Sequence, residues 1–171
     1  DGISQWMTSI RTGRTMAEIE AGEAEKIIGN PFDQTDVQLA GLVSKVPLGE
    51  DWLYELKYDG YRILGYVEFN AVRLMSRGGN DYTKRFWEIA SSLTDWAAER
   101  AMVLDGELVV VDAQGRTNFQ ALQNYMKHPK AQRLAYMVFD LLALEGEDLR
   151  GRPLIQRKET LEALMQDVPP S

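Results

Sequence analysis

The 171-residue chain contains no cysteine and a single histidine, His128. The first absence excludes disulfides, thiol nucleophiles and any zinc site built on thiolate. The second leaves His-rich metal sites and a serine-histidine-aspartate triad with a supporting histidine short of material. No run of about 18 apolar residues exists, so a spanning helix and a membrane partner are not expected. The opening residues, DGISQWMTSIRTGRT, lack the short apolar core of a signal peptide, and the expected address is cytoplasmic. Internal repeats and low-complexity tracts are also missing. Any chemistry falls to Lys, Arg, Asp, Glu, Tyr or the backbone.

What is present is ordinary in amount and uneven in placement. Apolar residues at 44% and charged residues at 26% suit a soluble globular chain, and the length suits one domain with a real core. A formal charge of -7 argues against a uniformly basic nucleic-acid binder. Residues 1–50 hold eight acids and four bases, whereas 116–139 carry Arg116, Lys127, Lys130 and Arg133 with no acid. A positive strip on an acidic chain is either a contact for DNA phosphates or a solvated charged face.

Thr15 and Glu18 fit a capping box that opens a short helix over 16–27, and Gly29-Asn30-Pro31 ends it. Residues 1–50 read as a lead-in, or linker, and 51–171 as the main unit. WLYEL, YRILGYVEF and AVRLMS read as strands separated by hairpins or short loops. The spacing of Phe86, Ile89, Ala90, Leu93 and Trp96 predicts an amphipathic helix over 82–99. MVLDGELVVVD reads as a strand broken at Gly106, and Thr117 or Asn118 caps a helix with Phe119, Leu122 and Tyr125. LAYMVFDLLAL is another apolar strand. Pro153 then starts a helix carrying Leu154, Lys158, Leu161 and Leu164. Without βαβ alternation, the class is α+β, with largely antiparallel sheets and flanking helices.

The unusual segment is Glu55-Leu56-Lys57-Tyr58-Asp59-Gly60-Tyr61-Arg62. A lysine at its ordinary pKa of about 10.4 is protonated at neutral pH and is no nucleophile. Desolvation or a neighbouring cation such as Arg62 or a bound metal exposes its lone pair, whereas Asp59 alone acts the other way. Taken alone, the segment reads more readily as a surface turn with a salt-bridged Lys57–Asp59 pair around Gly60 than as a nucleophile's setting.

KYDGYR resembles the K-x-D-G-x-R motif of covalent nucleotidyltransferases, which include ATP-dependent DNA ligases, RNA ligases and capping enzymes. Three later segments follow in that family's order. Leu74-Met75-Ser76-Arg77-Gly78-Gly79 is similar to the ligase S-R-x-G element, and Val103-Leu104-Asp105-Gly106-Glu107 to the strand with its acidic residue. Tyr136-Met137-Val138-Phe139-Asp140-Leu141-Leu142, continuing to Gly151-Arg152-Pro153-Leu154, is similar to the aromatic element beside the base. WLYELKYDGYRIL and the upstream RTMAEIEAG look most like the ligase module of bacterial ligase D proteins, which serve non-homologous end joining. The resemblance implies an incomplete nucleotidyltransferase (adenylation-domain) fold.

It also implies that Lys57 attacks ATP and carries AMP, which then passes to the 5′-phosphate of nicked or broken duplex DNA, and that Asp59 positions the reacting groups. Arg62 and Arg77 are planar donors suited to phosphate or ribose oxygens. Glu107 suits Mg²⁺ (or Mn²⁺) or a ribose hydroxyl, since magnesium takes few carboxylates beside waters and phosphates; an exposed strand glutamate is the bland alternative. Phe139 is either core or, as favoured here, a stacking face for adenine. Glu55 resembles the acceptor for the adenine amino group, with Leu56 also at the nucleotide. Lys84 and Arg85, after Tyr82, join Lys127, Lys130 and Arg133 as candidate DNA contacts. Asp105 and Asp140 read as caps on backbone groups.

In complete relatives an E-G-[LIV]-[VM]-x-K segment, a lysine-bearing basic segment and an OB-fold domain follow. None is among the 171 residues, which alone are expected to adenylate poorly or not at all. Polymerase and phosphoesterase modules of the same polypeptide and an end-binding protein are the expected partners. A non-catalytic binding module on the same scaffold is the alternative from another class, and an RNA ligase or capping-type enzyme is a third reading.

Overall fold

A computed structural model describes residues 37–39, 41–47, 49, 52–68, 71–97, 100–112, 114–127 and 133–166. The helix expected over 16–27 lies outside them, as does Lys130; of Lys127 only the backbone is described.

Five strands form one sheet: β1 (Tyr61–Glu68), β2 (Ala71–Ser76), β3 (Met102–Val111), β4 (Arg133–Leu144) and β5 (Glu147–Asp148), in the order β2-β1-β3-β4-β5. Every neighbouring pair is antiparallel, as the short connections and absent βαβ alternation led one to expect. Three helices accompany them: α1 (Trp87–Ala97), α2 (Phe119–Lys127) and α3 (Leu154–Met165). None is long and apolar enough to cross a membrane.

Alternation along the strands sorts the side chains. Ile63, Val67, Leu104 and Leu108 join Leu93 and Ala97 of α1, Leu122 and Tyr125 of α2 and Leu161 of α3 in the main core. A smaller cluster of Leu64, Tyr66, Val103, Leu142 and Ala143 is joined by Val37 and Met75. Tyr136 crosses the strands where two glycines make room. A Cβ on Gly106 would lie 2.6 Å from the Tyr136 ring, and one on Gly65 would lie 3.4 Å from its hydroxyl. That hydroxyl donates to the Ile63 carbonyl at 2.8 Å, which satisfies a polar group otherwise costly in a core.

Several expectations need correction. WLYEL forms no strand: residues 52–59 have no ladder partner among the described residues, and Trp52, Leu53, Tyr54 and Leu56 are exposed. Gly106 does not break β3. Instead the β3/β4 register slips twice: Asp105 faces Asp140 while Gly106 faces Val138, and Val103 faces Ala143 while Leu104 faces Leu141. Phe139 and Leu142 are the additional residues of β4, and such bulges re-aim side chains. Helix α1 starts at Trp87 rather than residue 82, because residues 83–86 form turns. There the Asp81 carboxylate accepts the Thr83 N–H at 2.8 Å, and Tyr82 O accepts the N–H groups of Arg85 and Phe86. Asn118 caps α2 through its side chain, accepting the Ala121 N–H at 3.1 Å.

Candidate active site

The lysine segment approaches the sheet along 52–60 and enters β1 at Tyr61. Its contact with β3 is close: a Cβ on Gly60 would fall 2.1 Å from the Leu108 carbonyl oxygen. The motif glycine is therefore required by approach rather than by a left-handed dihedral. The same residue's N–H donates to Glu107 Oε1 at 3.0 Å. Burial pushes the Glu107 carboxyl above the ordinary glutamate value, while the Gly60 bond and then the Lys57 ammonium pull it back without cancelling the rise. Lys57 and Glu107 thus lie within electrostatic reach, with the Lys57 side chain exposed.

Arg62 and Glu107 are register partners across β1 and β3. The guanidinium turns to the diagonal neighbour, Asp105, donating from Nε to Oδ1 at 3.0 Å and from Nη2 to Oδ2 at 2.6 Å. Nη2 also reaches the Gln38 carbonyl at 2.9 Å. Asp105 is 1% exposed and needs this partner, since an unpaired buried carboxylate is costly. Burial nevertheless holds its carboxyl above the ordinary value, Arg62 acting in the opposite direction. A second pair repeats the arrangement one strand over, where Arg157 of α3 grips both oxygens of Asp140 at 2.9 Å. Asp140 also accepts the Leu141 N–H at 2.9 Å, so the backbone-capping role expected of it is present beside the ion pair.

The bulge at Phe139 sets its ring under Arg62, whose guanidinium carbon stands 5.5 Å from the ring centroid, a favourable cation–π geometry. A cavity of about 220 Å³ opens here, lined by Gln38, Glu55, Arg62, Phe139, Asp140 and Leu154. Two of these lining residues meet Lys158, whose ammonium donates to Glu55 Oε1 and to the Phe139 carbonyl, the latter at 2.7 Å. A wider cavity of about 580 Å³ shares Gln38 and Asp140 with the first and extends past Asp148, Arg150 and Arg157.

Glu55, Arg62 and Phe139 are therefore brought to one cavity, and Glu107 of β3 holds the end of the segment that carries Lys57 through the Gly60 N–H. Leu56 and Asp59 lie on that segment with exposed side chains. Arg77 sits in the exposed 76–80 turn, where Ser76 O accepts the Gly79 N–H at 2.9 Å, and does not line either cavity. Lys84, Arg85 and Arg133 are exposed. Gln38, Leu154, Arg157 and Lys158 were not expected at the site. Lys158 had one legible sign, since it shares the i, i+4, i+7 stripe of Leu154 and Leu161, where a charge needs a partner.

One test of metal fit is the donor set. Among the described residues no group of three metal-ligating side chains occurs, and Asp105 is committed to Arg62. Glu107 offers a carboxylate with one oxygen held by Gly60, and Asp59 on the lysine segment offers an exposed second one. That suits magnesium, which binds through one or two carboxylates together with waters and substrate phosphates, and would not suit calcium or zinc.

Residues 37–170 match the family described as ATP dependent DNA ligase domain. The chain is 46% identical over 129 residues to the multifunctional non-homologous end joining protein LigD of Pseudomonas aeruginosa, covering 75% of this chain and 15% of that protein. With the multifunctional non-homologous end joining DNA repair protein LigD of Mycobacterium tuberculosis it shares 39% over 134 residues, covering 78% and 16%. The fold matches the structure of mycobacterial DNA ligase D complexed with ATP and MES at a TM-score of 0.61 and 37% identity, over 66% of this chain and 36% of that one. The ligase domain of M. tuberculosis LigD gives 0.60 and 38% over the same shares. The chain thus spans about a sixth of these curated relatives and about a third of the solved ligase chains. By the extent of the family match, it belongs to the ATP-dependent DNA ligase domain family.

Proposed function

We propose that this chain, with residues 51–171 as its working unit and 1–50 as a lead-in, supplies the front part of the adenylation centre of an ATP-dependent DNA ligase for end joining. The observation that carries this reading is the meeting of the Lys57 segment with Glu107 and of Glu55, Arg62 and Phe139 around one cavity, within a chain of that family.

In this reading adenine lies against the face of Phe139 that Arg62 leaves open, with its amino group toward Glu55. The Lys57 amine, once it has lost its proton, attacks the α-phosphorus. An N–P bond forms, the bond from phosphorus to the bridging oxygen breaks, and pyrophosphate leaves with the electron pair. The AMP then passes to a DNA 5′-phosphate. Arg62, anchored by Asp105, retains Nη1 for a phosphate or ribose oxygen, and Arg77 reaches the phosphates only through movement of its turn. Glu107 would hold Mg²⁺, which would supply charge stabilisation at the phosphates. Lys84, Arg85, Lys127, Lys130 and Arg133 serve the DNA backbone, where cations give affinity without sequence choice. Polymerase and phosphoesterase modules and an end-binding protein belong to this reading as partners.

The test is a two-step labelling experiment. The chain, alone and joined to the remainder of the P. aeruginosa LigD ligase module, is incubated with ATP labelled at the α-phosphate and Mg²⁺, then chased with a 5′-phosphorylated nicked duplex. Label should enter the joined protein and leave it for DNA, while the chain alone takes up little or none. Label that never enters either protein refutes the adenylation reading, and label that enters but never reaches DNA refutes the sealing step.

A further inference from the structure

The Lys158 ammonium stands between two groups of the nucleotide cavity that belong to different elements. It donates to Glu55 Oε1, on the segment before Lys57, and to the carbonyl of Phe139, the bulged residue of β4. Its own backbone lies on α3, which is held to the same strand through Arg157 and Asp140. The Lys158 side chain is 25% exposed while that of Glu55 is 46% exposed. The lysine is thus the more enclosed partner, and the glutamate is the one that would swing into solvent if released.

Resting on the adenine reading given above, we propose that Lys158 is a positioning residue for purine selectivity. It tethers the Glu55 carboxylate at the height of the Phe139 ring and leaves Oε2 directed to the exocyclic amine of adenine. The chemistry supports this division of labour. An ionised carboxylate has two oxygens and about four acceptor sites, of which Lys158 uses one. The ammonium carries three donors and no acceptor, so it cannot itself take the adenine amine. Without the tether Glu55, on a segment with no strand partner among the described residues, has many orientations. Ordering it on each binding event would lower affinity for the ligand it recognises. The bond to the Phe139 carbonyl matters equally, because it fixes the ammonium relative to the stacking ring rather than only to Glu55.

The lysine's position distinguishes this role from general stability. Breaking a partly exposed ion pair has little effect on folding, so Lys158→Met should unfold at the same temperature as the parent within about 2 °C. What should change is discrimination between AMP and purine riboside 5′-monophosphate, which differs only by lacking the 6-amino group. Monophosphates are the right probes because their recognition draws on the cavity residues and not on triphosphate contacts.

The experiment titrates the whole 171-residue chain with each monophosphate, following chemical shifts. The parent should prefer AMP by about tenfold, the size of one hydrogen bond to a charged group. Lys158→Met should lose most of that preference by weakening AMP, with the affinity for the purine analogue changed less than about twofold. Lys158→Arg should restore at least half of the preference, and Glu55→Ala should match Lys158→Met with no further loss in the double variant. If Lys158→Met weakens both ligands equally, or strengthens AMP, the inference is overturned: the lysine is then structural in the first case and a competitor for Glu55 in the second. A parent chain that binds both ligands alike, or neither, removes the adenine reading itself and this inference with it. A parent that discriminates while Glu55→Ala discriminates equally well removes Glu55 as the acceptor.

Discussion

The Gly60 N–H donates to the Glu107 carboxylate across 3.0 Å, and through this bond the end of the lysine segment is fastened to the middle of the sheet. The two residues are 47 positions apart in the chain. Their meeting places Lys57 within electrostatic reach of Glu107, whereas Glu55, Asp105 and Asp140 are each held by a lysine or an arginine.

Gly60→Ala should detach this segment. The added methyl would lie 2.1 Å from the Leu108 carbonyl oxygen and 2.9 Å from a Val109 methyl, and backbone cannot yield as a flexible side chain can. Urea denaturation should show a loss of about 1–3 kcal/mol. Parent-like stability would mean that the approach is looser than described.

Glu107→Gln should make the protein more stable near neutral pH. The carboxyl's folded value is raised by burial, so the folded state holds its proton more tightly than the unfolded state does. That stabilisation is complete below the ordinary glutamate value and is lost as pH rises through the raised one. The amide mimics the protonated form and still accepts from Gly60. Thermal unfolding of both proteins against pH should therefore show the variant's advantage shrinking to nothing on acidification. An advantage that grows on acidification would reverse the assigned sign.

Arg62→Met should leave the Asp105 carboxylate, 1% exposed, without its partner. A fully buried pair broken on one side loses about 3–5 kcal/mol; with Arg62 28% exposed, about 2–3 kcal/mol is expected. Adding Asp105→Asn should recover part of it. A double variant no more stable than Arg62→Met would show that the carboxylate's charge is not the cause.

Tyr136→Phe removes only a hydroxyl, yet that group is buried and donates to Ile63 O at 2.8 Å, with Leu104 O at 3.2 Å. A loss of about 1–2 kcal/mol is expected, measured by chemical denaturation, and an unchanged midpoint would argue that water replaces the bond.

Much of the sheet could be read directly. YRILGYVE, AVRLMS and MVLDGELVVV carry apolar spacing and turn residues that define β1, β2 and β3. Thr117 and Asn118 announce α2 by their capping chemistry, and the structure places the cap at Asn118. WLYEL misled because its apolar residues satisfy a strand's composition while ladder partners are a tertiary matter. The slips at Phe139 and Leu142 were hidden because LAYMVFDLLAL is apolar nearly throughout, so no alternation exists for a bulge to interrupt. The site divides in the same way. Lys57, Glu107 and Phe139 stood out through ordered motifs. The commitment of Arg62 to Asp105, 43 residues away, and of Lys158 to Glu55, 103 residues away, depends on packing that no local pattern encodes.

The central claim is that Lys57 is the nucleophile. It is tested most directly by peptide mapping of the AMP adduct formed from ATP and Mg²⁺ in the chain joined to the rest of a ligase module. The account predicts an acid-labile adduct on Lys57 that disappears in both Lys57→Ala and Lys57→Arg. An adduct on another residue, or one that persists in Lys57→Ala, would contradict it.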